Sequence, residues 1–325
     1  MALYAGNGWD GPGSGVDSRN VYPADSRPLD MVSIAVVGIG GWGRNLVRNL
    51  VEVGDVRYCC HRGDPDNEAW LRANYPDIEL TTEYRSVLED PSIDAVVVAT
   101  PIATHYELTR RALEAGKHVF VEKPLASSVE EARELRDLAR ESGSVLFVGY
   151  IFLHHPLLRP LLSRSAEHAV RSVVFSWEKL GAFDEDVVLD VVSHPVSIAC
   201  GLFGESPERT SVHREIALGS STDLITAELG FAGGGTFDLH VNRVSPEKRR
   251  SMLVVFDDET YHWTDERLSR FDWEHEEYDL VRTREREPLR LECERFVAAI
   301  EDGVDPATDG AFGYRVNEVL GSLRA

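Results

Sequence analysis

Two short segments of this chain combine residue types that hydride chemistry on a hydroxyl group requires. The first is the glycine-rich run Gly38-Ile39-Gly40-Gly41-Trp42-Gly43, and the second is Glu122-Lys123-Pro124 at the end of a later apolar run. Glycines after a strand let the backbone approach a pyrophosphate, and the following helix N-terminus offers it unpaired amides. Pro124 restricts the backbone of Lys123 to extended conformations, which favours a fixed direction for its ammonium group. Together they could hold a nicotinamide and place a donor beside the reacting oxygen.

A third candidate feature is a carboxylate and an imidazole at helical spacing. Asp190 and His194 are four residues apart, which places both on one face of a helix. A neighbouring carboxylate orients an imidazole and stabilises its protonated form, as suits a general base with a pKa near neutrality. Such a pair is also typical of a helix cap or a simple polar contact. With Lys123, these residues are the predicted catalytic group.

The end of the second predicted strand bears on the choice between NAD and NADP. The chain reads Cys60-His61-Arg62-Gly63-Asp64 there. His61 and Arg62 are suited to the additional phosphate of NADP, whereas Asp64 could reach the ribose hydroxyls of NAD. We therefore expect NAD or NADP as cofactor, with a slight preference for NADP, and no metal. The predicted cofactor contacts are Gly38, Gly40, Gly41, Trp42, Gly43, His61, Arg62, Thr100, Pro101, His105, Glu122 and Lys123.

The elements that must position these residues fall into two patterns. Between residues 31 and 150, continuous apolar strands alternate with helices, which predicts a doubly wound parallel sheet of the Rossmann type. Residues 151–325 instead carry longer alternating strands, which predict an α+β domain with a large, mostly antiparallel sheet. The assignment of this domain to substrate binding and oligomerisation rests on the family resemblance given below. The closing helices near 289–301 and 313–323 are expected to pack near the domain junction. Residues 1–30 are rich in glycine and are expected to be a flexible segment, or to reflect a start at Met31.

Composition excludes several classes of partner. The 325 residues carry a formal charge of −21, which disfavours nucleic acid and anionic membranes as partners. Four cysteines without a metal or disulfide spacing indicate a reducing, cytoplasmic setting. Lysine occurs only at Lys117, Lys123, Lys179 and Lys248, so nearly all basic residues are arginines. The acidic surplus and the scarcity of lysine are consistent either with a high-salt cytoplasm or with a genome that favours arginine codons.

The order of these motifs resembles the Gfo/Idh/MocA oxidoreductases, the glucose-fructose oxidoreductase and inositol dehydrogenase group. The resemblance covers about residues 32–325, and its most specific part is Glu122-Lys123-Pro124. Within the group the chain is most similar to the UDP-N-acetylglucosamine 3-dehydrogenase branch. The segments that carry this similarity are Gly41 to Asn49, Val148-Gly149-Tyr150, His155-Pro156, Glu185 to Asp190 and Pro288 to Phe296.

The resemblance implies an NAD(P)-dependent enzyme that oxidises a secondary alcohol of a sugar or nucleotide sugar. It implies that Lys123 and His194 flank the reacting hydroxyl, that Asp190 supports them, and that a homo-oligomer (dimer or tetramer) forms through the C-terminal sheet. Two segments depart from the pattern: Pro195-Val196-Ser197 replaces an aspartate near the histidine, and Phe152-Leu153-His154-His155 replaces an aromatic-arginine-aromatic segment. These departures leave the particular sugar open.

Three alternatives therefore remain at this point. The chain could be a free-sugar or cyclitol dehydrogenase, or a ketosugar reductase on the same fold. It could also be a non-catalytic, dinucleotide-binding regulatory protein, because a fold does not determine a function. For a nucleotide-sugar substrate, the candidate arginines for the diphosphate are Arg159, Arg164 and Arg243.

Overall fold

A computed structural model of the protein describes residues 31–181, 186–218, 222–283 and 285–324. The predicted flexible segment 1–30 and residue Glu185 lie outside the described residues. The described chain from Val32 onward forms one compact unit that contains two sheets. The predicted division of that chain at residue 150 stays a prediction.

The short apolar strands of the first half form a six-stranded parallel sheet, as predicted. Its strands are paired in the order β3-β2-β1-β4-β5-β6, and helices separate them along the chain. The strands are β1 (Ser33–Val37), β2 (Asp55–Cys60), β3 (Glu79–Thr81), β4 (Ala95–Val98), β5 (His118–Glu122) and β6 (Leu146–Gly149). The helices are α1 (Gly41–Leu50), α2 (Pro65–Asn74), α3 (Tyr84–Glu89), α4 (His105–Glu114) and α5 (Val129–Ser142).

The order of strands places the ends of β1, β4 and β5 side by side at one edge of this sheet. The strand order reverses between β1 and β4, which is where open α/β sheets bind their ligands. Strands β1, β4 and β5 are buried along almost their whole length because helices cover both faces. The glycine loop, the Thr100 loop and Lys123 therefore all follow strands that end at this edge.

The second half forms an eight-stranded sheet in the order β14-β13-β12-β11-β7-β10-β9-β8. All neighbours in it are antiparallel except β7 and β10, which are parallel. Its strands are β7 (Val170–Leu180), β8 (Arg209–Ile216), β9 (Leu224–Gly230), β10 (Thr236–Asn242), β11 (Val244–Phe256), β12 (Thr260–Thr264), β13 (Arg267–Asp272) and β14 (Glu277–Thr283). The helices of this half are α6 (Arg159–Ser165), α7 (Ser193–Phe203), α8 (Pro288–Asp302) and α9 (Gly310–Arg324).

The closing helices contact helices of both halves of the chain, and their predicted packing near a domain junction stays a prediction. Helix α8 packs against α1, and α9 packs against α5 and α7. Asn317 of α9 donates a hydrogen bond to the main-chain oxygen of Ala126 at 2.8 Å. The amide of Val148 in β6 donates to the carbonyl of Thr308 at 2.8 Å. These bonds attach the C-terminal helices to the loop after β5 and to the edge strand β6.

Candidate active site

The glycine loop between β1 and α1 is shaped by two glycines that the fold itself requires. Gly38 has a φ of 93°, a conformation that side chains rarely adopt, and its amide donates to Cys60 O at 2.8 Å. A Cβ on Gly43 would lie 1.9 Å from the carbonyl oxygen of Gly38. Both positions must therefore be glycine for the turn to close, whatever the loop binds.

The other two glycines of the loop have no such internal reason. A Cβ on Gly40 or Gly41 would meet no atom within 4 Å, and both residues are exposed. Gly40 precedes α1 without a side-chain cap, so the first amides of the helix are left for an external acceptor. The open face and the uncapped helix fit the pyrophosphate of a dinucleotide, as predicted.

The exposed Trp42 links this loop to the second motif. Its indole Nε1 donates a hydrogen bond to Glu122 Oε1 at 2.5 Å. Burial raises the pKa of Glu122 to about 7, while Trp42 and Lys123 act to lower it. Behind Glu122 lies Glu292 of α8, whose pKa is raised well above its usual range by burial and by the charge of Glu122. Glu122 is thus a buried residue that supports the loop through Trp42, and its predicted contact with the cofactor stays a prediction.

Lys123 links the end of β5 to the turn that precedes α7. It follows β5, and its Nζ donates to Asp190 Oδ1 at 2.7 Å and to the main-chain oxygen of Asp190 at 2.6 Å. The lysine side chain is 15% exposed and the aspartate side chain 41% exposed. The structure therefore pairs Lys123 with Asp190 and not with its neighbour Glu122, and it leaves the pair open to a ligand.

His194 lies beside this pair, with its ring between two aromatic side chains. The ring is stacked on Trp177 at 5.2 Å between centroids and has Phe152 edge-on at 5.0 Å. Its Nδ1 is buried and has no hydrogen-bond partner among the described residues. Burial lowers the pKa of His194 well below its usual value, and the charges of Lys123 and Arg250 lower it further.

Two details of the predicted Asp190–His194 pair need correction. Asp190 lies in a π-helical turn, Val188–Val192, so the spacing of four residues does not join its carboxylate to the imidazole, and the carboxylate binds Lys123 instead. The predicted pKa near neutrality for His194 is replaced by a lowered pKa, because positive groups and burial surround the ring. A neutral imidazole remains a suitable proton acceptor.

His105 is fully buried under the Thr100 loop and does not line the cleft. One ring nitrogen lies 2.9 Å from the carbonyl oxygen of Pro124 and the other 2.9 Å from that of Thr100. It therefore ties the loop after β4 to the segment that carries Lys123. We correct its predicted contact with the cofactor to a positioning role, while Thr100 and Pro101 stay at the sheet edge.

The corner after β2 contains both of the groups that were predicted to distinguish NAD from NADP. Asp64 Oδ1 accepts the amides of Asp66 and Asn67, so this carboxylate caps α2. Arg62 is exposed, and the amide of Gly63 donates to His61 Nδ1 at 3.2 Å. Asp64, the carboxylate that could bind ribose hydroxyls, thus caps α2 instead, whereas the Arg62 side chain is exposed after β2.

A basic group on the second sheet escaped the sequence analysis. Lys179 and Arg250 lie close enough to His194 to lower its pKa, and the Arg250 guanidinium lies 4.3 Å from the Trp177 ring centre. Lys179 and Asp190 line a small cavity of about 110 Å³. The signal that could have found Lys179 was the scarcity of lysine itself. In a chain with a charge of −21, this concentration of positive groups distinguishes the cleft.

The three arginines predicted to bind a diphosphate are not brought together. Arg243 forms a buried ion pair with Asp223, 2.8 Å between Nε and Oδ1. Arg164 binds Asp258 at 2.5 Å and Glu259 at 3.1 Å. Arg159 lies on a separate cavity that is described below. We therefore remove Arg164 from the candidate substrate contacts, whereas Arg243 stays a candidate because it lines the small cavity beside Asp190.

Three further observations concern possible metal ligands, the cysteines and membrane-spanning helices. His168, Asp257 and Asp258 place potential metal-ligand atoms within 4.8 Å of one another, but Arg164 already neutralises Asp258. All four cysteines are buried free thiols. Within the described ranges, no helix is both long and apolar enough to cross a membrane.

Comparison with known proteins places this geometry among dinucleotide-dependent oxidoreductases. Residues 32–150 match the family model GFO_IDH_MocA, described as an oxidoreductase family with an NAD-binding Rossmann fold. UDP-N-acetylglucosamine 3-dehydrogenase from Acidithiobacillus ferrooxidans is 29% identical over 168 residues, which are 51% of this chain and 54% of that protein. A solved structure of that enzyme superposes with a TM-score of 0.83 and 25% identity, covering 90% of this chain and 96% of the other.

Two inositol dehydrogenases of Bacillus subtilis are also similar. The NADP-dependent scyllo-inositol 2-dehydrogenase is 33% identical over 122 residues, 38% of this chain and 34% of that protein. The NAD-dependent scyllo-inositol 2-dehydrogenase is 40% identical over 123 residues, 37% of this chain and 36% of that protein. The alignments with these curated relatives thus span about half of their length or less.

The two classes of glycine in the loop lead to a prediction. Gly43→Ala should lower the free energy of unfolding by about 1–3 kcal/mol, because the new methyl group overlaps the Gly38 carbonyl. Gly40→Ala should leave stability unchanged, because its Cβ meets nothing, yet weaken dinucleotide binding about tenfold or more. Urea unfolding and titration with NADH and NADPH measure the two effects. Wild-type dinucleotide affinity in Gly40→Ala would contradict the assignment of the loop.

Proposed function

Because residues 32–150 of this chain match the model of the Gfo/Idh/MocA oxidoreductase family, we propose that the protein transfers a hydride between a nicotinamide cofactor and a secondary alcohol of a sugar or nucleotide sugar. The observation that carries the proposal is the contact of Lys123 Nζ with Asp190, beside His194, at the edge where the parallel strands end. A regulatory protein that only bound the dinucleotide would not need an open ammonium, carboxylate and imidazole there. These three side chains supply the groups that alcohol oxidation requires.

In this proposal Lys123 and His194 act on the substrate hydroxyl. A nicotinamide bound on the glycine loop would supply or accept the hydride. Lys123 Nζ donates a hydrogen bond to the substrate oxygen and stabilises the negative charge that develops there as the proton leaves. His194 accepts that proton on Nε2, since Nδ1 is buried away from the cleft.

Asp190 acts through Lys123 in this proposal. Two acceptors of one residue, the carboxylate and the main-chain oxygen, hold the ammonium group at 2.7 and 2.6 Å. This fixes the direction of a flexible side chain before the substrate binds, which reduces the entropy lost on reaching the transition state. The π-helical turn is what presents both oxygens of Asp190 to the same nitrogen.

The charge of the cleft favours a substrate that carries negative charge. The positive charges of Lys179 and Arg250 add to that of Lys123 around His194. Asp190 is the carboxylate that lines the small cavity. The diphosphate of a nucleotide sugar is the anionic group that accompanies a sugar hydroxyl in the similar UDP-N-acetylglucosamine 3-dehydrogenase. We therefore place a nucleotide sugar before a free sugar or cyclitol as the substrate class.

Turnover with a panel of UDP-sugars and free sugars, each with NAD and NADP, tests the proposal. Lys123→Ala and His194→Ala should each lower kcat/KM for the active substrate by about 10²-fold or more, because each removes a group that acts in the transition state. His213→Ala is the matched control, since His213 is exposed on β8 outside the cleft and should behave as wild type. Near-normal turnover in either cleft variant, or dinucleotide binding without turnover on any sugar, would contradict the proposal.

For the cofactor we propose NADP, on the grounds that Asp64 is engaged as a helix cap and Arg62 is free at the corner. Arg62→Ala should raise the KM for NADP about tenfold and leave the KM for NAD nearly unchanged. Arg72→Ala, an exposed arginine on the neighbouring α2, is the control. A KM for NAD well below that for NADP in the wild-type protein would overturn the proposal.

We also propose a homo-oligomer through the second sheet. The face of this sheet that points away from α7 carries Val174 at 51% exposure, and the edge strand β14 is exposed along its whole length, with Leu280 at 61%. A second copy would remove both apolar side chains and the open edge from water. Val174→Lys should shift the mass in light scattering towards the monomer. A monomeric wild-type protein at micromolar concentration would contradict this.

A further inference from the structure

A second cavity, larger than that beside Asp190, lies at the opposite end of α7. It encloses about 590 Å³ and is lined by the Ile151–His154 turn, the ends of α6, α7 and α8, and the start of α9. Cys200 and Gly201 of α7 line it, whereas His194 lies in the first turn of that helix. Seven residues of helix separate Gly201 from His194, a rise of about 10 Å. The cavity is therefore distinct from the proposed catalytic centre.

Three arginines from different elements converge on this cavity. They are Arg159 of α6, Arg295 of α8 and Arg315 of α9. Within the described residues none of the three forms an ion pair with a carboxylate; Arg315 donates only to the carbonyl of Gly204, at 3.2 Å. Arginines elsewhere on this acidic surface commonly bind a carboxylate, as Arg164 and Arg290 do. Positive charges that line one cavity repel one another, so the surplus of arginines favours the binding of an anion there.

A buried histidine on the wall of the cavity supports the same conclusion. His154 is 7% exposed and stacks on Phe147 at 5.4 Å between ring centres. Its Nε2 is buried with no hydrogen-bond partner among the described residues. Burial and, to a smaller extent, the charges of Arg159 and Arg295 together lower the pKa of His154 to about 3. The positive field of Arg159 and Arg295 therefore extends to the wall of the cavity.

We propose that this cavity is a binding site for the phosphate group of a small organic molecule, separate from the active site. Arginine guanidinium groups bind phosphate oxygens through paired hydrogen bonds. The volume lies in the range of small-molecule sites. Apolar side chains on the wall, among them Leu153, Leu162 and Val304, accommodate a carbon skeleton beside the phosphate.

The carboxylates on the rim help to select the ligand. Asp302 and Asp305 also line the cavity, so the arginines outnumber the acids by three to two. A ligand that is only an anion would be repelled by these two groups. A phosphorylated sugar or similar polyol satisfies both, since its hydroxyls donate to carboxylates while its phosphate accepts from arginine. The site is therefore assigned to a sugar phosphate rather than to a dicarboxylic acid.

Calorimetric titration of the full chain with glucose 6-phosphate, inorganic phosphate and succinate tests the proposal. The titrations are done at constant ionic strength, with the cofactor loop occupied by saturating NADPH and, in a second series, by saturating NADH. Glucose 6-phosphate should bind saturably at one site, more tightly than inorganic phosphate, and succinate should not bind. Arg295→Gln and, independently, Arg159→Gln should each weaken the binding at least tenfold. Both positions are exposed, so the variants are expected to fold.

Arg140→Gln is the matched control, an exposed arginine in the last turn of α5 that removes the same charge outside the cavity. It should bind the sugar phosphate like the wild-type protein. Equal weakening in this control, competition of glucose 6-phosphate with NADH, or absence of saturable binding would overturn the proposal. Because the readout is binding and not turnover, its failure would leave the proposed dehydrogenase activity untouched.

Discussion

The pairing of Lys123 with Asp190 is the interaction on which the arrangement of the site depends. Lys123 follows β5 in the parallel sheet, and Asp190 precedes α7, which packs on the second sheet. A hydrogen-bonded ion pair that is only partly buried keeps both charges without the full cost of desolvation. Two contacts from neighbouring loops hold the residues on either side of Lys123. The His105 ring lies within hydrogen-bond distance of the main-chain oxygen of Pro124, and the Trp42 indole donates to the carboxylate of Glu122.

The electrostatics of the cleft follow from this pair and from the second sheet. Lys123, Lys179 and Arg250 surround an imidazole that is already buried between aromatic rings, so every influence on His194 favours its neutral form. In a chain whose charge is −21, a local surplus of positive groups requires that the acidic residues lie elsewhere on the surface. An anionic, hydroxylated ligand is the class of molecule that such a cleft attracts and that a neutral imidazole can deprotonate.

Much of the fold was predictable because its signals are local. The span of α5, from Val129 to Ser142, follows from a capping box at Ser128 and a left-handed Gly143 at the other end. Elements as short as β3, with three residues, and α3, with six, show no clear period in the sequence, and β14 has no buried face to mark it. The fold class needed only the alternation of strands and helices.

The site was predictable in its members but not in its contacts. Lys123, Asp190 and His194 lie together, yet the spacing of four residues pointed to the wrong pair because a π-helical turn is not visible in the sequence. Lys179 and the buried state of His105 depend on tertiary packing, which no local pattern encodes.

The measurement that tests the central claim most directly is the pH dependence of kcat/KM for alcohol oxidation. If His194 is the proton acceptor in a positive, buried setting, its folded pKa lies below 6.5, so the acceptor is still neutral at that pH. The account predicts that kcat/KM is maintained as the pH falls through 6.5 and declines only at a lower pH. An acidic limb centred at or above 6.5 would contradict it.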